Sequence, residues 1–223
     1  GAWMPDVLDY SLMVAPNGAR RTTADHPALP VTTGALALTA QACQNEGATA
    51  IHVHVRDAEQ RHSLDPGRYR EAVAAIAEQA PGLGVQITTE SAGVYQPAEQ
   101  LTCLTSLRPA AASIAVREMA ADPSIAETTY AFAHEAGIEV QHIAYTPACI
   151  AQLRAWRESS LVTTEQRRVL LVLGQYAPPR NASPADLDPL ISRLEDHSFQ
   201  LSVCAFGPNE HQCLREAAAR GYG

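Results

Sequence analysis

The stretch Ile51-His52-Val53-His54-Val55-Arg56-Asp57 alternates apolar and polar residues with period two. Successive side chains of a strand point to opposite faces, so His52, His54 and Arg56 share one face and Ile51, Val53 and Val55 the other. Two imidazoles at i and i+2 converge, and nitrogens about 3 to 4 Å apart can both reach a Zn2+ at Zn–N distances of roughly 2.0–2.1 Å. The same spacing suits two histidines satisfied by neighbouring carbonyls or facing solvent, and the pattern alone does not choose between these readings. Arg56 and Asp57 end the strand at a loop, the place where parallel α/β proteins gather their ligands.

Other polar residues fall at similar strand ends. Asn17, Thr88-Thr89-Glu90, Arg117-Glu118, Tyr145-Thr146 and Gln175-Tyr176 are expected there. Arg117 with Glu118 fits a surface ion pair as well as a substrate contact. Arg20 and Arg21, near His26, offer forked guanidinium donors to carboxylates or phosphates, with a solvated loop as the equal alternative. Alternation lets only one of Gln141 and His142 face inward, and His142 reads as a satisfied core histidine. His62, His134, His197 and His211 read as surface residues of loops and helices. No cysteine stands at a nucleophile-like spacing from a histidine, which argues against a Cys-His hydrolase.

The elements that must carry these residues alternate regularly. A first strand is expected over Asp9–Val14, stopped by Ala15-Pro16-Asn17-Gly18. Thr32 or Thr33 caps a helix to about Asn45, and the His-x-His strand follows. Asp65-Pro66 opens a helix that ends at Pro81-Gly82. Further strands are expected at Gly84–Thr89, Ala112–Arg117, Glu139–Tyr145, Arg168–Leu173 and Phe199–Ala205. Between them lie helices at Pro97–Leu107, Ile125–Ala136, Pro147–Glu158 and Pro184–Leu194, and a last one starts at Asn209. One strand followed by one helix, repeated, is the arithmetic of a β/α barrel or a doubly wound sheet. Pro16-Asn17-Gly18-Ala19 lacks the G-x-G-x-x-G turn of the latter, so the expected fold is a TIM-type (β/α)8 barrel in which seven units are evident.

The 223 residues, 46% of them hydrophobic, suffice for one large core, and no linker divides them, so a single domain over 1–223 is expected. A net charge of -8 argues against a nucleic-acid or anionic-membrane surface and for small-molecule partners. The sequence lacks a membrane-length apolar run, and its five cysteines show no C-x-x-C spacing; no export is expected. A cytoplasmic protein with reduced thiols is expected.

Several blocks together resemble the β-keto acid cleavage enzymes. They are Ala15-Pro16-Asn17-Gly18-Ala19-Arg20-Arg21-Thr22, Ala24-Asp25-His26-Pro27-Ala28-Leu29-Pro30, the His-x-His strand with His62-Ser63-Leu64-Asp65, and Gln86-Ile87-Thr88-Thr89-Glu90. The match continues through Arg108-Pro109, Val140-Gln141-His142-Ile143 and Val203-Cys204-Ala205-Phe206-Gly207. The resemblance implies a zinc-dependent β/α barrel that converts a β-keto acid and acetyl-CoA into acetoacetyl-CoA or a related CoA thioester plus a shortened product, by Claisen or retro-Claisen chemistry. It implies His52 and His54 as metal ligands, with the metal acting as a Lewis acid on the keto group. Thr88 matches a hydroxyl that holds the substrate carboxylate, Ser113 is a candidate second hydroxyl, and Asn17 or Glu90 could complete the metal or substrate shell. A homo-oligomer, with a tetramer favoured, follows from the same resemblance.

Three departures from the family pattern stand out. Arg20 occupies the place of an acidic ligand, and Gln141 that of an acidic residue in the fifth strand. The eighth-strand Gly-x-Glu-(Asp/Asn) segment, which carries a ligand and in some members the general base, is not reached, so the catalytic acid or base is unassigned. If the active species held only these residues, weak or absent catalysis would be expected, to be restored by a further segment or a partner subunit. The alternatives are a metal-dependent hydrolase or lyase of this fold that needs no CoA, and a non-catalytic relative that binds a metal or carboxylate and lacks the last unit.

Overall fold

In the computed structural model, residues 8–173, 175–176, 179–180, 191, 194 and 199–205 are described, and they fall into two compact units. The first unit runs to Ser113 and includes Glu135–Glu139. Its elements are β1 (Met13–Val14), α1 (Thr33–Asn45), β2 (Ala50–Val53), β3 (Val55–Arg56), β4 (His62–Ser63), α2 (Pro66–Gln79), β5 (Gly84–Thr88), α3 (Pro97–Leu107) and the first three residues of β6 (Ala111–Ala115). Strands β1, β2, β5 and β6 lie side by side and parallel, with Met13 beside Ala50, His52 beside Gln86, and Thr88 beside Ser113. The helices start where their sequences provide caps. Thr32 Oγ1 accepts from the Ala35 amide at 3.1 Å, the Asp65 carboxylate accepts from the Arg68 amide at 2.8 Å, and Glu99 takes the Gln96 amide at 3.1 Å.

The second unit holds α4 (Val116–Met119), most of α5 (Pro123–Glu135) and of β7 (Glu139–Ala144), α6 (Pro147–Glu158) and β8 (Arg168–Leu173). A short antiparallel pair, β9 (Gln175–Tyr176) and β10 (Pro179–Arg180), precedes β11 (Gln200–Ala205). Strands β7, β8 and β11 are parallel in that order. Parallel strands taken in chain order and alternating with helices are the TIM-type β/α arrangement, and seven such units are evident. The expected helices at Pro184–Leu194 and from Asn209 lie outside the described residues, apart from Ile191 and Leu194, both buried.

Four boundaries differ from the sequence reading. The first strand is two residues long because Asp9 Oδ1 captures the amide and hydroxyl of Ser11, which takes that segment out of the ladder. The His-x-His segment is two strands in different sheets rather than one, since β2 stops at Val53 and β3 pairs antiparallel with β4. Strand β6 ends at Ala115 and the chain enters α4 directly, so Arg117 is helical and stacks on the Tyr145 ring at 3.8 Å. Helix α5 begins two residues early, at Pro123, where the Asp122 carboxylate accepts from the Ile125 amide at 3.2 Å.

Both Gln141 and His142 are buried, at 1% and 0% exposure: as neighbours on β7 they point to opposite faces, and both faces of the strand are covered. His142 is the satisfied core histidine the sequence suggested: its Nε2 donates to the Gln166 carbonyl at 2.8 Å. The Gln166 amide in turn bonds the Tyr130 carbonyl at 3.0 Å and the Thr163 amide at 2.9 Å. Burial pulls the His142 pKa down to about 4, so the ring is neutral at pH 7. An unfolded chain would protonate this histidine near 6.5, so the stability it contributes is complete above that pH and is lost as the pH falls toward 4. Replacing His142 with Asn should lower stability at pH 7.5 and should also flatten the loss between pH 6.5 and 4 by up to one proton, as read from urea midpoints at each pH.

Candidate metal and substrate site

The break in the strand at His54 has a specific cause. Asn17 Oδ1 accepts from the His54 amide at 3.2 Å, and its Nδ2 donates to the His54 carbonyl at 2.7 Å and to the Pro30 carbonyl at 3.1 Å. A buried side chain therefore replaces the ladder partner of that one residue. Asn17, expected in the metal or substrate shell, has its amide committed to backbone and acts by holding His54. The rings of His52 and His54 stand edge to face with centroids 4.9 Å apart.

Each ring is oriented by a different oxygen. His52 Nδ1 lies 2.6 Å from Gln86 Oε1, and the other end of that amide donates to the Tyr10 hydroxyl at 3.3 Å, which fixes Oε1 as the acceptor. His52 therefore carries its proton on Nδ1 and leaves Nε2 bare. His54 Nε2 lies 3.0 Å from Glu90 Oε2, while its Nδ1 is buried without a partner. Burial, then the repulsion that would arise if His54 were protonated beside it, pulls His52 down to about 4, and burial also lowers His54, so both rings are neutral. Burial, the largest single influence, would raise the Glu90 carboxyl, but the hydrogen bond from His54 together with the electrostatic pull of His54, His62 and His52 outweighs it, and the group is an anion. The close His54–Glu90 contact is thus a neutral N–H donating to a carboxylate rather than an ion pair.

His62 joins this group and was missed as a surface residue. It is 7% exposed, its Nε2 donates to the Glu90 carbonyl at 2.6 Å, and its ring lies 5.6 Å from that of His54. The signal was the block His62-Ser63-Leu64-Asp65 itself, which pairs as β4 with β3. His134, by contrast, is a surface residue as expected, 3.7 Å from Glu165, and His197 and His211 lie outside the described residues.

Thr88 and Ser113 sit beside one another at the ends of β5 and β6. Ser113 Oγ donates to Thr88 Oγ1 at 3.2 Å, and that oxygen also accepts the Glu90 amide at 3.0 Å, so the Thr88 proton is left to point elsewhere. Arg56 reaches back to the loop after β1, where its Nη2 donates to the carbonyls of Asn17, Gly18 and Arg21. Gln60 and Thr23 bond reciprocally at 2.9 Å and fasten the same loop. Arg20 lies between the anchored carbonyls, is exposed, and acts electrostatically on His62. The Cys103 thiol is buried and pushed up to about 12, which leaves it inert.

Among the described residues no group of three or more His, Cys, Asp or Glu side chains is disposed to hold a metal ion. His52 and His54 nonetheless fit two positions of a cation shell. Each donates one ring N–H to an amide or carboxylate oxygen and leaves its other nitrogen unprotonated, the arrangement that orients ligating imidazoles.

Residues 10–223 match the family described as beta-keto acid cleavage enzyme. The chain belongs to that family. It is similar to the 3-oxoadipate:acetyl-CoA acetyltransferase of Cupriavidus necator, 33% identical over 104 residues that cover 47% of this chain and 36% of that protein. It is also similar to the 3-keto-5-aminohexanoate cleavage enzyme of Fusobacterium nucleatum, 33% identical over 97 residues, 44% of this chain and 35% of that one. The matched segments span about a third of the length of these curated relatives. In three dimensions the chain is similar to the 3-dehydroquinate dehydratase of Geobacillus kaustophilus, with a TM-score of 0.59 at 10% identity over 88% of this chain and 73% of that one. At that identity the likeness is one of fold.

The Asn17 clamp gives this family member a testable weak point. Asn17→Ala leaves the His54 amide and two carbonyls without their buried partners, and should cost about 3 kcal/mol in urea denaturation.

Proposed function

We propose that this beta-keto acid cleavage family member is a zinc-dependent enzyme that converts a β-keto acid and acetyl-CoA into acetoacetyl-CoA or a related CoA thioester plus a shortened product. The observation that carries the reading is the pair of neutral imidazoles at His52 and His54, each with one nitrogen tied to an oxygen and the other bare. In this reading those two residues hold the zinc, which when bound supplies Lewis-acid polarisation of a keto oxygen.

The chain's own residues then divide the remaining work. Thr88 and Ser113 present hydroxyls next to the histidine strand and bind the substrate carboxylate, with Thr88 keeping a proton to donate. Glu90 holds the His54 ring, and Asn17 holds its backbone. Arg20 offers a guanidinium with no ion pair among the described residues, a partner for a further anionic group on the keto acid or for a phosphate of CoA. The name of the Cupriavidus necator relative includes both acetyl-CoA and the dicarboxylic 3-oxoadipate, which such an arginine would suit. The reading places the protein in the cytoplasm as a homo-oligomer, a tetramer favoured. No helix among the described residues is long and apolar enough to cross a membrane.

The first test is zinc content with turnover of a β-keto acid panel, with and without acetyl-CoA, products read by mass spectrometry. The expected result is about one zinc per chain and a CoA thioester formed only with acetyl-CoA, lost on chelation and restored by zinc. Turnover without CoA would instead point to a hydrolase or lyase on this fold, and ligand binding without turnover to a non-catalytic relative. His52→Ala should lower both zinc content and turnover by at least about 100-fold. Thr88→Val should raise KM for the keto acid about 10- to 100-fold with a smaller change in kcat, because a hydrogen bond to a charged group is lost from bound substrate and transition state alike.

A further inference from the structure

We propose that His62 is a positioning residue that sets, through Glu90, which nitrogen of His54 is left bare. The inference deepens the zinc reading, but its first observable, the proton position on His54, exists whether or not a metal binds.

The tautomer of His54 is specified from one side only. Its Nε2 meets the Glu90 carboxylate, and its Nδ1 has no partner, so a displaced Glu90 would leave neither nitrogen favoured. Glu90 stands where the chain leaves β5. The Thr89 amide, donating to the Ser113 carbonyl at 3.2 Å, precedes it, and a turn begins at Ser91, with Val94 and Tyr95 amides returning to the Ser91 carbonyl. At this departure the Glu90 main chain is gripped at two points. Its amide donates to Thr88 Oγ1 at 3.0 Å, and its carbonyl accepts from His62 Nε2 at 2.6 Å. The Thr88 contact is local in sequence, whereas the His62 contact spans 28 residues and ties Glu90 to a different sheet.

His62 is itself well anchored. It pairs across the hairpin with Arg56, whose guanidinium holds the loop after β1, and its carbonyl accepts from the Tyr95 hydroxyl at 3.3 Å, beyond the turn that follows Glu90. Its Nδ1 and that of His54 are both without partners, so the two rings are not bonded to each other, and no three-ligand group includes His62. The hydrogen-bonded route from His62 to His54 therefore runs through the Glu90 backbone, beside the proximity of the two rings at 5.6 Å.

The test is a long-range 15N correlation spectrum of the full chain at neutral pH, first in chelator, with His62→Leu and His62→Gln, the latter keeping an N–H donor for the Glu90 carbonyl. In the unaltered protein His54 and His62 should both be protonated on Nε2. His62→Leu should give His54 mixed tautomers, and His62→Gln should restore the Nε2 form. A His62 protonated on Nδ1 in the unaltered protein overturns the proposal without any variant, as does an unchanged His54 in a folded His62→Leu. A folded His62→Gln that fails to restore the tautomer overturns it too, since ring bulk would then be the cause. Competition with a chromophoric chelator gives the second readout: zinc affinity should fall about 10- to 100-fold in His62→Leu and recover in His62→Gln. If the unaltered chain binds no zinc while the tautomers behave as stated, the zinc reading fails and the positioning role stands.

Discussion

A single amide, that of Asn17, decides the local architecture on which the site depends. By taking both the N–H and the C=O of His54, it withdraws one residue from a strand that would otherwise continue through Arg56. The withdrawal frees Val55 and Arg56 to pair antiparallel with His62 and Ser63 rather than with β5. Because an unpaired buried backbone group costs of the order of 1–3 kcal/mol, a break at a buried residue is tolerated only when a side chain fills in. The clamp is therefore the condition for having a hairpin here at all, and the hairpin delivers His62 to Glu90 and Arg56 to the loop after β1.

Electrostatics follows from that geometry. Three imidazoles cluster around Glu90, of which His54 meets its carboxylate and His62 its carbonyl, and burial keeps all three below their usual pKa, so the group carries the single negative charge of Glu90. Arg56, buried and bonded to backbone carbonyls, adds a fixed positive charge that further disfavours protonation of His54 and His62. Neutral imidazole is the form that ligates a cation. The same burial that builds the core of the barrel strands thus keeps the lone pairs of these rings available at pH 7.

Much of the fold was legible because its signals are local. Thr32, Asp65-Pro66 and Gln96-Pro97-Ala98-Glu99 announce their helices within four residues, and the period-two runs mark the strands. What escaped the sequence reading is long-range. The Asn17–His54 clamp and the Gln60–Thr23 bond each join residues 37 apart, and His62 meets Glu90 across 28. His62 looked solvent-facing because it sits just after the turn residues Asp57–Arg61, and nothing local says that this hairpin folds inward. For Gln141 and His142 alternation says that the two point to opposite faces, but not that both faces are covered.

The remaining site residues are brought together by register. Parallel pairing sets His52 beside Gln86 and Thr88 beside Ser113. Period two then puts Gln86 and Thr88 on the same face of β5, so the His52 ring, the Gln86 amide and the two hydroxyls line one surface while Val53, Ile87 and Ala112 pack on the other. A slip of one residue between β2 and β5 would turn Gln86 and Thr88 away from His52 and bury them among those apolar side chains. The apolar face therefore enforces the register, and the register places the polar face. Fold and chemistry are thus carried by opposite sides of the same three strands: the apolar side sets the register, and the polar side can change without disturbing it.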